Sequence, residues 1–310
     1  MSVAPDGSIT TEIGGRMLRL THVEKVLYPE TGTTKAEVLQ YYLTVAPAIL
    51  RFARDRPVTR KRWPDGVEAE PFFEKNLPKG APEWVPRVTL HHEGIRSGRG
   101  ARDISYPLID DVAVLAWCAQ QSALELHAPQ WRIDRGSDEP LPPDRIVIDL
   151  DPGAPAGLAE CGDVALVARA MLEAHGMTAY AVTSGSKGMQ VYAAVADANA
   201  AGRSVLERAG STSEYALALA QALEQHLPAL VVSKMSKDLR PGRIFVDWSQ
   251  NNPAKTTIVP WSLRGKSRPT ASTPVPWRDV ESGTARQLSI GEALDWYADH
   301  ADDLDALSSS

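Results

Sequence analysis

Asp149 and Asp151 end the apolar run I-V-I-D-L-D-P, residues Ile146 to Pro152, at spacing i, i+2. Alternate residues of a strand share a face, which sets the two carboxylates side by side, roughly 7 Å apart along the backbone. Ile146, Ile148 and Leu150 then fill the opposite face. Paired carboxylates repel unless a cation lies between them. Hard divalent ions take oxygen ligands of this kind, and paired ions suit in-line displacement at phosphorus. A strand that merely closes in a D-x-D-P turn accounts for the same residues. Asp247 adds a second observation. It interrupts another apolar strand, R-I-F-V-D-W-S-Q from Arg243, where a carboxylate is costly unless paired or bound to metal.

Between these strands lies V-T-S-G-S-K-G-M-Q-V-Y, Val182 to Tyr192. It reads as a strand, a tight Ser-Gly-Ser-Lys-Gly turn and a second strand. Successive backbone N–H groups in such a turn, with hydroxyls and a lysine, can hold phosphate oxygens. It is no P-loop, because the G-x-x-x-x-G-K-S/T spacing is missing and no helix follows. Taken by itself it reads as an ordinary glycine-rich hairpin.

The elements that would position these residues can be read from periodicity and capping. Glu12 to Leu20 is a hairpin turning at Gly14-Gly15. Thr34 caps a helix to about Phe52, with Glu37 at the capping-box position, and Pro47 is expected to kink or split it. Val58 to Trp63 is a basic strand closed by Pro64-Asp65-Gly66. Residues 76 to 107 read as loop-rich with scattered strand. Asp111 to His127 reads as one apolar helix ended by Pro129. Helices follow from about Leu158 to His175, from Ser213 to His226 and near Ile290 to Ala301, and Pro269 to Pro276 reads as a linker. Strand, helix, hairpin, helix, strand over 145 to 250 suits a mixed sheet with helices on one face. The fold class is α+β, one domain over residues 10–302, with flexible tails at 1–9 and 303–310.

A chain of 310 residues with 43% hydrophobic content can build a substantial core. No apolar run nears the ~18 residues of a membrane span. The start M-S-V-A-P-D-G-S has no signal-peptide character, so a cytoplasmic location is expected. Cys118 and Cys161 sit in apolar context as reduced core thiols, and the seven histidines show no zinc-type spacing. Net charge is −6, yet the charge is uneven. Arg51, Arg54, Arg56, Arg60, Lys61 and Arg62 face one acid, Asp55. Arg96, Arg99 and Arg102 follow, then Lys234, Lys237, Arg240 and Arg243, then Lys255, Arg264, Lys266 and Arg268. Local basic patches rather than whole-chain charge make a phosphate footprint. Acids gather in the tail, at Asp295, Asp299, Asp302, Asp303 and Asp305.

The order D-x-D, S-G-S-K-G, then a lone strand aspartate resembles the archaeo-eukaryotic primase superfamily. Flanking text narrows the resemblance to the polymerase domain of bacterial ATP-dependent DNA ligase D. The matching segments are K-V-L-Y-P-x-T-G-T-T-K from Lys25, T-R-K-R-W-P-x-G from Thr59, F-F-E-K from Phe72, L-E-L-H-x-P-Q-W from Leu124, D-L-D-P-G from Asp149, V-D-W-S-Q-N from Val246 and K-T-T-I-x-P-x-S-L-R-G from Lys255. The resemblance covers about residues 16 to 280.

The resemblance implies an RNA-recognition-motif-like catalytic core joined to N-terminal α/β elements, and a bacterial, nucleoid-associated enzyme of non-homologous end joining. The implied activity is addition of nucleotides, preferably ribonucleotides, to DNA 3′ ends by a two-metal mechanism. Asp149, Asp151 and Asp247 are the implied metal ligands, for manganese or magnesium. His127, Ser184, Ser186, Lys187, Gly188, Gln190, Arg240, Gln250, Lys255 and Arg264 are the implied contacts of an NTP or dNTP, and Ser184 is a candidate partner of the ribose 2′-hydroxyl. Lys25 and Lys35 resemble the pair that holds a recessed 5′-phosphate. Phe72 and Phe73 resemble the pair that stacks on template DNA, with Arg62 in the same groove. Implied partners are DNA ends with a 5′-phosphate, a Ku-type end-binding protein and an ATP-dependent DNA ligase, and no membrane. Gln190 departs from the family's S-G-S-K-G-x-H, and His22 stands where relatives carry Asn. A primase that starts RNA chains, and a DNA-end bridging module with weak catalysis, are the rival readings.

Overall fold

The computed structural model describes residues 2–92 and 102–308. Its centre is a six-stranded sheet in the order Val231–Val232, Ile244–Val246, Arg145–Pro152, Met189–Ala194, Ala179–Thr183, Pro274–Val275. All neighbours are antiparallel except the first pair, which is parallel, so the sheet is mixed. Alternation along Arg145–Pro152 sorts its side chains as the sequence predicts. Ile146, Ile148 and Leu150 join a core with Val164, Ala165 and Leu172 of the helix Leu158–Ala174, and Tyr215 and Leu219 of the helix Thr212–His226. The opposite face is covered too, which the sequence reading did not anticipate. Val147, Val182 and Tyr192 pack into a second core with Phe52, whose ring meets that of Tyr192 edge-on at 5.5 Å.

Phe52 belongs to the helix Lys35–Ala53, which starts at a full Thr34–Glu37 capping box. Pro47 does not split it. Loss of one helical hydrogen bond costs about 3 kcal/mol, and burial of Val38, Tyr41, Tyr42, Val45, Ile49 and Phe52 along one face offsets that. Beside this helix lies a four-stranded antiparallel sheet, in the order Thr257–Ile258, Ala123–Ala128, Thr59–Arg62, Phe72–Glu74.

The strand Ala123–Ala128 corrects the reading of one helix from Asp111 to His127. The helix covers Val112–Gln120 only, and Ser122, at φ 55°, turns the chain into the strand. Apolar Ala- and Leu-rich text fits either element, and pairing on both edges decides for strand. Residues 76 to 107 contain a regular hairpin, Arg87–His92 with Arg102–Pro107, rather than scattered strand. The expected linker at 269–276 is instead two strands, of which Pro274–Val275 closes the central sheet. An amphipathic helix, Ala200–Ala209, was not anticipated. Both expected tails carry structure. Ser2–Val3 pairs with Ile9–Thr10, and Leu304 and Leu307 are buried beside the helix Lys35–Ala53, so the packed unit extends past residue 302. Among the described residues no helix is long and apolar enough to cross a membrane.

Candidate active site

The two aspartates of Arg145–Pro152 face away from the helices, into a cleft of about 430 Å³ between the two sheets. Asp247 follows Ile244–Val246 directly, and its N–H donates to the Asp149 carbonyl at 2.8 Å. One oxygen from each of the three carboxylates lies within 4.8 Å of the others. The sequence expectation that the three converge is met, although Asp247 caps the short helix Trp248–Asn251 rather than lying inside a strand. Asn251 anchors that helix: its side chain accepts from Val147 N at 2.9 Å and donates to Val147 O at 2.7 Å. The amide thus continues the strand ladder beyond the last paired residue, Val246.

Burial, then the charges of Asp151 and Asp247, push the Asp149 carboxyl well above the usual range, against a Gln190 hydrogen bond and the charge of Arg264. Burial and Asp247 also raise Asp151, against Arg240 and Arg264. Three crowded carboxylates, with Asp149 and Asp151 raised in affinity for protons, form a donor set that fits hard divalent ions. Both carboxylate oxygens of Asp247 are held from its own short helix. Ser249 donates to Oδ1, and Gln250 Nε2 donates to Oδ2 at 2.7 Å.

The Ser-Gly-Ser-Lys-Gly turn forms the next wall. Ser184 Oγ accepts from the N–H groups of Ser186, at 3.2 Å, and Gly188, at 3.1 Å, so its oxygen organises the turn while its proton stays available to donate. Gly188 must be glycine, since a Cβ there would meet the Leu150 carbonyl at 2.0 Å. Gly185 combines φ +68° with a packed Arg264 side chain. Arg264, His127, Ser186, Lys187, Gln190 and Gln250 share the cleft with Asp149 and Asp151.

Two expected nucleotide contacts stand apart from that lining. Lys255 donates to the Ser249 hydroxyl, behind Asp247. Arg240 stacks on Phe245, 3.7 Å from the ring centre, where its charge acts on Asp151. Gln190 is buried, paired opposite Asp149, and its amide donates to Asp149 Oδ1 at 3.1 Å. Tyr192 fixes that amide by donating to Oε1 at 2.9 Å. Gln190 thus lines the cleft with its amide turned to Asp149.

The sheet beside the cleft carries a second group. Phe72 and Phe73 are 60% and 56% exposed. Phe73 reaches the His127 ring at 5.8 Å. Lys25 and Arg62 both act electrostatically on Lys35, which is mostly buried and donates to the Thr21 carbonyl at 2.8 Å. Arg62 is braced by Gln121 and by Glu74, at 2.9 Å. His22 adopts φ 52°, a conformation Asn also favours. The basic run from 51 to 62 is only partly a phosphate footprint, because Arg56 and Arg60 are buried and Arg51 pairs with Asp302 and Asp305 of the acidic tail. Arg96 and Arg99 lie outside the described residues.

Comparison with known proteins agrees with this geometry. The family model for the LigD primase-polymerase domain matches residues 34–304. The chain belongs to that family. The multifunctional non-homologous end joining DNA repair protein LigD of Mycobacterium tuberculosis is 45% identical over 93% of this chain. Its Mycolicibacterium smegmatis relative is 44% identical over 92%. The chain spans only 36% and 35% of those two proteins. The polymerase domain of M. tuberculosis ligase D, solved in complex with DNA, superposes with a TM-score of 0.84 at 44% identity, over 94% of this chain and 98% of that one. The α+β architecture is therefore that of the LigD primase-polymerase domain.

Glu125 is the site residue that sequence reasoning missed. Its buried carboxylate faces His127 at 2.9 Å and accepts from Gly265 N at 3.1 Å. The motif L-E-L-H contained the signal, since Glu125 and His127 share a face once the segment is a strand.

Proposed function

We propose that this chain is a DNA-end repair polymerase, a nucleotidyltransferase that adds nucleotides, preferably ribonucleotides, to 3′ ends at breaks carrying a 5′-phosphate. The observation that carries this reading is the convergence of Asp149, Asp151 and Asp247 beside a cleft that the Ser184–Gly188 turn and Arg264 line. Manganese, with magnesium as substitute, would be held by the three aspartates, and such ions would activate the primer hydroxyl and neutralise charge on the leaving pyrophosphate. The chain's own residues orient the reactants. Arg264 can grip phosphate with parallel hydrogen bonds, and Lys187 adds a point charge. The Ser186 hydroxyl, in the same cleft, can donate to the same oxygens. Positioning and charge stabilisation suffice, without a covalent intermediate.

In this reading Phe72 and Phe73 stack on template bases, each worth ~1–3 kcal/mol, and Lys25 with Lys35 holds the 5′-phosphate. A bacterial, nucleoid-associated location in the cytoplasm, a Ku-type end-binding partner and an ATP-dependent ligase complete the proposal. The test is templated extension on a gapped duplex with a 5′-phosphate, in manganese, with ribo- and deoxynucleotides supplied separately. The expected result is primer-dependent addition, faster with ribonucleotides. Products without a primer would instead indicate a primase, and DNA binding without addition a bridging module.

Gln190 supports the metal site in this proposal rather than the triphosphate. Gln190→Ala leaves Asp149 Oδ1 without its amide donor, while the Tyr192 hydroxyl keeps Thr257 Oγ1 at 3.3 Å. Loss of such a partner of a ligand lowers metal affinity by about 10–100-fold. The manganese concentration for half-maximal extension should rise by that order while the nucleotide KM stays within about threefold, at the low end of a single hydrogen bond. A raised nucleotide KM with unchanged manganese dependence would return Gln190 to the triphosphate.

A further inference from the structure

Glu125 is buried at 1% exposure, in a cleft wall where an unpaired carboxylate would be costly. It is not unpaired. One oxygen faces His127 Nε2 at 2.9 Å, and the other accepts from Gly265 N at 3.1 Å and stands 3.6 Å from Arg264 Nε. Glu125 therefore ties together two cleft-lining groups, His127 and Arg264, that come from different sheets. A carboxylate can only accept, so the proton between Glu125 and His127 belongs on Nε2. Among the described residues no hydrogen bond reaches the other ring nitrogen, Nδ1. Ring burial favours the neutral imidazole, opposed by Glu125 itself. For Glu125, burial alone would raise the carboxyl, but the hydrogen bond of His127 and the charges of Arg264, His127 and Lys61 hold it at about 2.

We propose that Glu125 is a positioning residue of the nucleotide cleft, which holds His127 as the Nε2–H tautomer and so presents Nδ1 as a hydrogen-bond acceptor. This rests on the reading of the cleft as a nucleotide site. A ring nitrogen with a lone pair repels phosphate oxygens and accepts from a donor, so His127 meets a hydroxyl of the nucleotide and leaves the phosphates to Arg264 and the Ser-Gly-Ser-Lys-Gly turn. The nucleotide's pairing edge is not the donor, because a templated reaction commits that edge to the template base.

Nitrogen-15 NMR of the histidine rings reads the tautomer directly in the 310-residue chain, with the His127 signals assigned from their loss in His127→Gln. The expected wild-type ring is protonated at Nε2 alone. Glu125→Gln can turn an amide N–H toward Nε2, which moves the ring proton to Nδ1 and converts the acceptor into a donor. Nucleotide KM should then rise about tenfold, with kcat and affinity for a 5′-phosphorylated duplex changed less than about twofold, the size of one lost hydrogen bond. A wild-type ring that is charged, or protonated at Nδ1, overturns the inference even if Glu125→Gln fails to fold. Equal loss of nucleotide and duplex affinity overturns it as well, by making Glu125 a residue of general stability. A wild-type chain that binds no nucleotide overturns the reading of the cleft instead, and the ring spectrum tells the two failures apart.

Discussion

Asp149→Asn should reduce single-turnover extension at least about a thousandfold, at the upper end of the loss of one charge-stabilising group, while raising the melting temperature in metal-free buffer. The two effects share one cause. Asp149 lies beside Asp151 and Asp247, and burial together with these charges raises its carboxyl well above the ordinary range. The folded state therefore binds a proton more tightly than the unfolded chain, where the group titrates near about 3.9. A group of that kind favours folding when protonated, and its contribution declines as pH climbs from the ordinary carboxylate range through the raised value. Above the ordinary carboxylate range, without a cation, crowding in the triad costs stability. Asparagine removes one of its charges and should raise the melting temperature by about 1–3 °C. Added manganese should stabilise the wild type, by about 2.7 kcal/mol at a hundred times its dissociation constant, and the variant much less. A variant that keeps a tenth of wild-type extension would remove Asp149 from the reaction. A lower melting temperature in chelator would show that the triad is not strained.

The carboxylate triad was legible in the sequence because its logic is local. Period-two alternation in I-V-I-D-L-D assigns Ile146, Ile148 and Leu150 to one face and the aspartates to the other, and the structure keeps that assignment. The turn at Ser184 to Gly188 was legible for the same reason. What was hidden depends on pairing between distant segments. Ala123–Ala128 is a strand because it finds Thr59–Arg62 on one edge and Thr257–Ile258 on the other, and neither neighbour is visible in L-E-L-H itself. Misreading that segment as helix placed His127 at a helix end and left Glu125 out. Gln190 was assigned to phosphate from its place after the turn. Its register opposite Asp149, 41 residues away in the chain, turns its amide to a carboxylate. Arg56 and Arg60 looked like phosphate contacts because charge density is read from composition, whereas their burial beside Asp144 and Glu74 is a property of the packed fold.

Replacing Lys25 and Lys35 together with alanine should erase discrimination between DNA ends with and without a 5′-phosphate. Lys35 is mostly buried, and its ammonium spends one donor on the Thr21 carbonyl. An ammonium has three donors, so two stay free for phosphate oxygens. Lys25 holds an exposed pair with Asp65, at 3.1 Å, which phosphate can displace at small cost. Arg62 has its guanidinium engaged by Gln121 and Glu74, so it adds field rather than a free fork. Charge-assisted bonds are worth roughly 1.5–3 kcal/mol each, so with one from each lysine the wild type should prefer the phosphorylated end by at least about a hundredfold. The double variant should bring the ratio near one, with a salt dependence shallower by about two phosphate contacts. Lys35 also gives the preference a pH signature. Burial, then the charges of Lys25 and Arg62, lower its pKa to about 8. Below that pH the ammonium is charged and holds phosphate; above it the proton leaves and the preference falls. Bound phosphate favours the charged form, so the fall should lie at higher pH in the complex than in the free protein. Fluorescence anisotropy with matched phosphorylated and dephosphorylated duplexes, over about pH 7 to 9.5 and two salt concentrations, measures both effects. An unchanged ratio in the double variant would place the 5′-phosphate elsewhere. A ratio flat with pH would mean that Lys35 keeps its charge and that Lys25 or Arg62 dominates the site.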